Sequence, residues 1–113
     1  MGVTFKSGTD DMRESPSLKM IPYLLKKGAS ISYYEPTGHK KQFKSKKIFF
    51  YENIKKACQN ADLIIIHTEW NEFKQINFKK ITKKRNLKVF DMRNLYTPKD
   101  MKKNKISYFG IGR

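Results

Sequence analysis

The sequence predicts an α/β fold built on a mainly parallel sheet. Three observations carry this. Short apolar runs alternate along the chain with segments of helical periodicity, the order expected when strands are joined by crossover helices. Leu63-Ile64-Ile65-Ile66 is a continuous aliphatic run, as expected of a strand buried on both faces. Ile54, Ala57, Cys58 and Ala61 fall at i, i+3, i+4 and i+7, which places them on one helix face just before that run.

Taken in order, the first helix is expected over residues 17–27, where Leu18, Ile21 and Leu25 share an apolar face. Ser15 is its expected N-cap and Pro16 its first helical residue. Pro22 is expected to bend or weaken its first turn, and Gly28 to end it. Ile31-Ser32-Tyr33-Tyr34 reads as a short strand closed by Glu35-Pro36. Residues 37–47 are polar and basic without periodicity, a loop or frayed helix, and Ile48-Phe49-Phe50-Tyr51 reads as an edge strand. Phe78 and Ile81 suggest a helix ending near Arg85-Asn86, and Leu87-Lys88-Val89-Phe90 the next strand. Thr97-Pro98 leads a short helix over residues 99–103, and Ile106-Ser107-Tyr108-Phe109 forms the last strand. No repeat or low-complexity linker interrupts the 113 residues, which read as one domain with a sizeable core.

The charge is strongly basic: 25 Lys and Arg against 10 Asp and Glu, a formal +15. Such a balance raises nucleic acid or an anionic surface as partners. However, only Arg13, Arg85, Arg93 and Arg113 are arginine, and the lysines are scattered as doublets over many segments rather than gathered in one block. They read as solvated faces, with no recognition-helix or zinc pattern to support a specific nucleic-acid role. The longest aliphatic run is far below the ~20 residues of a membrane-spanning helix, so no membrane partner is expected. The single Cys58 allows no internal disulfide and suits a reducing, cytoplasmic setting.

Chemistry concentrates at the start. Residues 2–16 pack a glycine turn, Lys6, Asp10, Asp11 and Arg13 directly before Ser15-Pro16. A loop feeding a helix N-terminus, with cations beside it, is a place to hold phosphate groups. The alternative is a plain helix start with solvated charges. In open α/β sheets ligands sit beyond the carboxyl ends of the strands, which gathers Lys6, Arg13 and Arg93 along one edge. Arginine grips phosphate with a planar fork, lysine as a mobile point charge.

Four ordered segments carry a resemblance. They are Gly2, Phe5-Lys6 with Thr9-Asp10-Asp11-x-Arg13-Glu14-Ser15-Pro16-Ser17; Thr68-Glu69-Trp70-Asn71-Glu72-Phe73; Asp91-Met92-Arg93-Asn94-Leu95-Tyr96; and Tyr108-Phe109-Gly110-Ile111-Gly112-Arg113. Together they resemble the C-terminal, UDP-binding domain of the UDP-glucose 6-dehydrogenases, within the UDP-glucose/GDP-mannose dehydrogenase family, end to end. The resemblance implies a Rossmann-like three-layer sandwich with its first strand truncated. It implies that Phe5, Lys6 and Arg93 contact the UDP-sugar, Lys6 near the diphosphate, and that Arg13 reaches toward NAD held mainly by another domain. Met92 stands where many members carry glycine, which bears on the backbone before Arg93. The family oxidises the sugar C6 alcohol to a carboxylate with two hydride transfers to NAD through a cysteine-bound thioester. Neither a G-x-G-x-x-G fingerprint nor the nucleophilic cysteine context occurs here, so no catalytic residue is assigned and activity of the isolated chain is not expected. The family oligomerises through a central region absent here. The expectation is thus a fragment, marginally stable alone or docking on a separately encoded N-terminal half. GDP-mannose or a UDP-amino sugar are the alternative substrates, and a non-enzymatic, nucleic-acid-binding basic protein is the alternative class.

The remaining polar residues are read as structural. Asp10 and Asp11 orient Arg13 and cap the following helix. Trp70 is buried with its indole N–H bonded, and a ligand contact is its alternative. His67 is a satisfied core-edge histidine, His39 a loop residue, and Cys58 a buried thiol on the apolar face of its helix. Neither histidine has metal-site spacing.

Overall fold

The computed structural model describes residues 1–82 and 86–112. Within them the elements run α1 (Ser17–Lys26), β1 (Ile31–Tyr33), β2 (Ile48–Phe50), α2 (Ile54–Cys58), β3 (Leu63–Ile66), a 3-10 helix (Asn71–Gln75), α3 (Phe78–Ile81), β4 (Lys88–Asp91), α4 (Pro98–Lys103) and β5 (Ser107–Gly110). The alternation is the α/β order expected. The predicted helix end at Arg85 and the terminal Arg113 lie outside the described residues.

All strand pairs are parallel, with Ile31 opposite Ile48, Leu63 opposite Lys88 and Lys88 opposite Ser107. Yet the one sheet expected is divided into β1-β2 and β3-β4-β5. Residues Met1 and Gly2 lie between the halves. The Met1 amine donates to Ile65 O, His67 N–H donates to Met1 O at 3.0 Å, and Gly2 N–H donates to Tyr34 O at 2.8 Å. Bonding to residues 65 and 67 from one residue is the parallel ladder pattern. The spatial order is therefore β2, β1, a two-residue stub, β3, β4, β5. Gly2 has φ 75°, and a Cβ there would lie 2.6 Å from Thr68 Cβ, so only glycine fits.

Two hydrophobic clusters flank the strands, giving the three layers. One joins Ile21, Leu18 and Leu25 of α1 to Val3, Met12, Tyr33, Phe43, Ile48 and Phe50. The other joins α2, α3 and α4, through Ala57, Cys58, Phe78 and Met101, to Ile64, Ile66 and Val89. Phe73 of the 3-10 helix, an element without a periodic signal, is fully buried in this second cluster.

Several expectations are corrected. β3 is not buried on both faces: Ile64 and Ile66 are 3% and 0% exposed, but Leu63 is 45% exposed and Ile65 half-buried. The open face lines a cavity shared with Met20, Ile21 and Leu24 of α1. α2 stops at Cys58, short of Ala61, and starts from Asn53, whose side chain accepts from Lys56 N–H at 3.1 Å. Residues 37–47 form no helix, but Phe43 is buried edge-on to Tyr33 and Lys40 N–H donates to Tyr33 Oη at 2.8 Å.

Ser15 is not the N-cap of α1. That position is Pro16, with no side-chain cap bond, and the helix runs on through Pro22. Ser15 Oγ and Ser17 Oγ instead both donate to Val3 O at 2.6 Å. Asp10 and Asp11 do not cap the helix either; Asp11 accepts from Arg13 N–H at 2.9 Å. Ser15→Ala should therefore cost only about 1 kcal/mol, because Ser17 still satisfies the Val3 carbonyl. Urea unfolding checks this, with far-UV circular dichroism unchanged; a loss of helix signal would restore the capping role.

Candidate functional site

The site grows from the loop that follows the stub. Its backbone is fastened at its base, over residues 3–5. Val3 and Thr4 N–H donate to Glu35 Oε1 at 3.0 and 3.3 Å. Thr68 Oγ1 donates to Thr4 O at 2.9 Å, and Phe5 N–H donates to Asp11 O at 2.9 Å, closing the loop on itself. Glu35 is 1% exposed, and its second oxygen accepts from Thr37 N–H and Thr37 Oγ1 at 2.9 and 2.6 Å. A buried carboxylate with four donors holds its lone pairs in use. In the sequence Glu35 reads only as a strand terminator; the Glu-Pro after a strand is the one local signal, and Val3 and Thr4, the partners that shape the loop, lie some thirty residues upstream.

Beyond β4 the chain turns sharply. Asp91, 0% exposed, accepts from Arg93 N–H and Tyr96 N–H, each at 3.0 Å, and lies 2.7 Å from the Tyr108 hydroxyl. The left-handed residue of the turn is Asn94 (φ 51°), not Met92, so the turn needs no glycine at position 92. Asn94 is tied to the backbone of Ile111 through both side-chain atoms at 2.9 Å.

This turn aims the Arg93 guanidinium back across the carboxyl ends of β3 and the stub. Nε donates to His67 O at 2.9 Å and Nη2 to Phe5 O at 3.0 Å. Phe5, Lys6 and Arg93, the residues singled out from the sequence, are thereby brought to one rim. Phe5 is 42% exposed and Lys6 is exposed. Arg13 shares the loop but points outward, its side chain 89% exposed. Asp11 grips it in a fork, Nε to Oδ1 and Nη2 to Oδ2, both 3.1 Å. That contact holds the Asp11 carboxyl below its ordinary range and raises the Arg13 guanidinium.

His67 is 2% exposed, with Nδ1 3.0 Å from Thr68 Oγ1. The Thr68 hydroxyl hydrogen is committed to Thr4 O, so Nδ1 carries the proton and Nε2 is an acceptor. Among the described residues Nε2 has no partner, so the histidine is only half satisfied. Trp70 packs against the second cluster, but its indole N–H is also unpartnered among the described residues, contrary to the bonded indole expected. His39 is exposed, edge-on to Phe50. Cys58 is 3% exposed and burial raises its thiol, which keeps it protonated. Among the described residues no cluster of three metal-binding side chains occurs.

A family profile described as the UDP-binding domain of the UDP-glucose/GDP-mannose dehydrogenase family matches residues 1–98. The chain belongs to this family. UDP-glucose 6-dehydrogenase of Rickettsia prowazekii is 34% identical over 116 residues, covering 99% of this chain and 27% of the relative. The Rhizobium meliloti UDP-glucose 6-dehydrogenase is 36% identical, covering 100% and 26%. The crystal structure of an NDP-N-acetyl-D-galactosaminuronic acid dehydrogenase from Methanosarcina mazei has a TM-score of 0.84 at 26% identity, covering 99% of this chain and 23% of that one. A UDP-D-ManNAc dehydrogenase from Pyrococcus horikoshii has a TM-score of 0.75 at 26% identity, covering 99% and 24%. This UDP-binding domain thus spans about a quarter of the length of the relatives it matches.

Proposed function

We propose that the chain is the UDP-sugar-binding part of an NAD-dependent UDP-glucose 6-dehydrogenase, with the nucleotide diphosphate lying across Lys6 and Arg93. The bond from Arg93 Nη2 to Phe5 O carries this reading, because it sets a fixed guanidinium beside the backbone that presents Lys6. That bond and the one to His67 O use Nε and one Nη2 hydrogen, leaving the other N–H groups of the fork for an anion. Lys6 adds a mobile charge, and the backbone around Phe5 lines the same rim. Arg13, already oriented by Asp11, offers its outer N–H groups to NAD held by another domain; NAD would supply the hydride acceptor. The residues described here bind and orient. None is placed as a nucleophile, so the single domain is expected to bind without turning over, with UDP-glucose oxidation belonging to a longer enzyme. A reducing, cytoplasmic setting suits the buried free thiol; among the described residues no helix is long and apolar enough to cross a membrane.

A second reading keeps the site and changes the sugar. It is favoured by the solved structures named above, both dehydrogenases of N-acetylated amino sugars. Thermal unfolding with UDP, UDP-glucose and UDP-N-acetylglucosamine tests both readings. UDP alone is expected to raise the midpoint; a further rise with UDP-glucose and not with UDP-N-acetylglucosamine favours the first reading, and the reverse favours the second. Lys6→Ala, at an exposed position, should weaken UDP about 10–100-fold without changing the ligand-free midpoint; Arg93→Lys should weaken it as much through loss of the fork, and should also lower the ligand-free midpoint because the bonds to His67 O and Phe5 O go with it. An unchanged midpoint at millimolar UDP would sink the proposal. Binding that follows RNA instead, with affinity falling steeply as salt rises, would favour the nucleic-acid alternative.

A further inference from the structure

We propose that the outer face of the α2-α3-α4 layer binds single-stranded RNA, with one unpaired base seated in the groove between α3 and α4 and the phosphates running over the lysines beside it.

The lysine doublets are scattered in the sequence, but the fold collects a set of them. α2, α3 and α4 pack on one side of the sheet through Ala57, Cys58, Phe78 and Met101. With the apolar residues turned inward, the outer face is left to Lys55 and Lys56 of α2, Lys79 and Lys80 of α3, and Lys99, Lys102 and Lys103 of α4, all exposed. Asp100 is the one acidic residue on these three helices. Glu72 of the neighbouring 3-10 helix is taken up by the Tyr34 hydroxyl at 2.9 Å. Among the described residues none of these lysines has a carboxylate within ion-pair distance. A face of one sign, held together by the fold, attracts a polyanion.

The groove says which polyanion. It has a volume of about 510 Å3, in the range of small-ligand pockets, and lies between α3 and α4. Its floor is apolar, with Phe78, Met101 and Ile106 buried and Tyr96 edge-on to Phe78 at 5.4 Å. Its rim is polar, and the local bonds leave groups to spare. Asn77 Oδ1 accepts from Lys79 N–H at 3.1 Å, so its NH2 group is left to donate. Asn104 Nδ2 donates to Asp100 O at 2.9 Å, so its Oδ1 is left to accept. A flat apolar body edged with donors and acceptors is a nucleobase, and Lys74 and Lys79 stand at the same rim for its phosphate. Only a single strand can turn a base into the groove. Asp100 and Asn104 Oδ1 are acceptors for a ribose 2′-hydroxyl, which DNA lacks. A membrane surface fits less well. None of the exposed large apolar residues (Phe5, Tyr23, Phe49, Leu63, Phe109, Ile111) lies on these helices to insert into lipid.

The test titrates a labelled uridine oligomer of about ten nucleotides into the 113-residue chain. The logarithm of the association constant should fall against that of salt with a slope of about −3, the value for about four neutralised phosphates. Lys79→Glu with Lys80→Glu, and Lys102→Glu with Lys103→Glu, should each weaken binding about tenfold or more. Lys19→Glu with Lys26→Glu makes the same change in net charge on α1, in the opposite layer, and should weaken it less than about twofold. DNA of the same sequence, the RNA duplex and inorganic polyphosphate of equal charge should each bind at least about threefold more weakly. Absence of binding, or equal losses from the α1 and α3 variants, would overturn the proposal. So would DNA, duplex, polyphosphate or phosphatidylserine vesicles that bind as tightly as the oligomer. Displacement by UDP would overturn it too, by placing the RNA at the rim of Lys6 and Arg93. All the lysine variants should keep the midpoint rise with UDP, so failure of the nucleotide reading and failure of this one are told apart.

Discussion

Asp91→Ala is expected to destabilise the fold by about 3–5 kcal/mol and to abolish the UDP response with it. Asp91 is fully buried and is the acceptor for Arg93 N–H, Tyr96 N–H and the Tyr108 hydroxyl. Alanine takes the acceptor from the Arg93 and Tyr96 N–H groups, while the Tyr108 hydroxyl keeps Tyr96 O at 3.0 Å, and each buried, unsatisfied group costs about 1–3 kcal/mol. Against a total of about 5–15 kcal/mol for a domain, such a loss is severe. It is also local to the function, since the same turn holds Nε and Nη2 of Arg93 on His67 O and Phe5 O. Asp91→Asn separates the two effects. Its oxygen can still accept from Arg93 N–H, while its NH2 group confronts the Tyr96 N–H, so it should lose less stability and retain part of the UDP response. Urea unfolding of both variants reads the outcome. A cost below about 1 kcal/mol for alanine would show that water replaces the carboxylate and that the turn is held by Asn94 instead.

The elements legible in the sequence are those whose signals are local. The spacing of Leu18, Ile21 and Leu25 gives α1 almost to its last residue, and Thr97 with Pro98 marks the start of α4, where Thr97 Oγ1 accepts from Asp100 N–H at 3.3 Å. The misread positions are those where a distant group captured a local one. Ser15 has the chemistry of a cap, but the Val3 carbonyl lies against it and takes its hydroxyl. Leu63-Ile64-Ile65-Ile66 has the composition of a doubly buried strand, but burial of Leu63 and Ile65 depends on what stands beside them, and there the sheet is open. The site follows the same rule. Phe5, Lys6, Arg13 and Arg93 are singled out by motifs alone, and the Asp11–Arg13 pair, which the structure shows, by proximity in sequence. Glu35 was missed because nothing near it in sequence announces that its carboxylate will hold the backbone of Val3 and Thr4. Tertiary hydrogen bonds, not propensity, decide the shape of the loop that carries Lys6.

Stability is expected to fall by about 3 kcal/mol between pH 6.5 and pH 4, with His67 as the cause. Burial, the neighbouring Met1 ammonium and Arg93 lower the His67 pKa from its ordinary 6.5 to about 4, opposed by Glu35 and a backbone contact with Gly2. The folded imidazole therefore resists a proton that the unfolded one accepts. Between these values the unfolded state binds more protons, so the stabilisation present above pH 6.5 is lost as pH falls toward 4. Each pKa unit corresponds to about 1.4 kcal/mol, which gives the stated magnitude. The Met1 amine, also lowered by burial, acts with the same sign but begins below its ordinary value of 8.0. Asp11, lowered by Arg13 from 3.8, contributes only in more acid solution, so its window lies apart from that of His67. His67→Phe keeps the ring volume and the Thr68 bond to Thr4 O, and it removes the titration. Urea unfolding of both proteins from pH 4 to 7.5 should show a slope in the parent that is largely absent in the variant. Equal slopes would assign the acid loss to another group and would mean that the imidazole is reached by water despite its burial. Because the His67 carbonyl also receives Arg93 Nε, protonation there should loosen the nucleotide rim before the fold is lost, and the UDP midpoint shift should shrink over the same pH window.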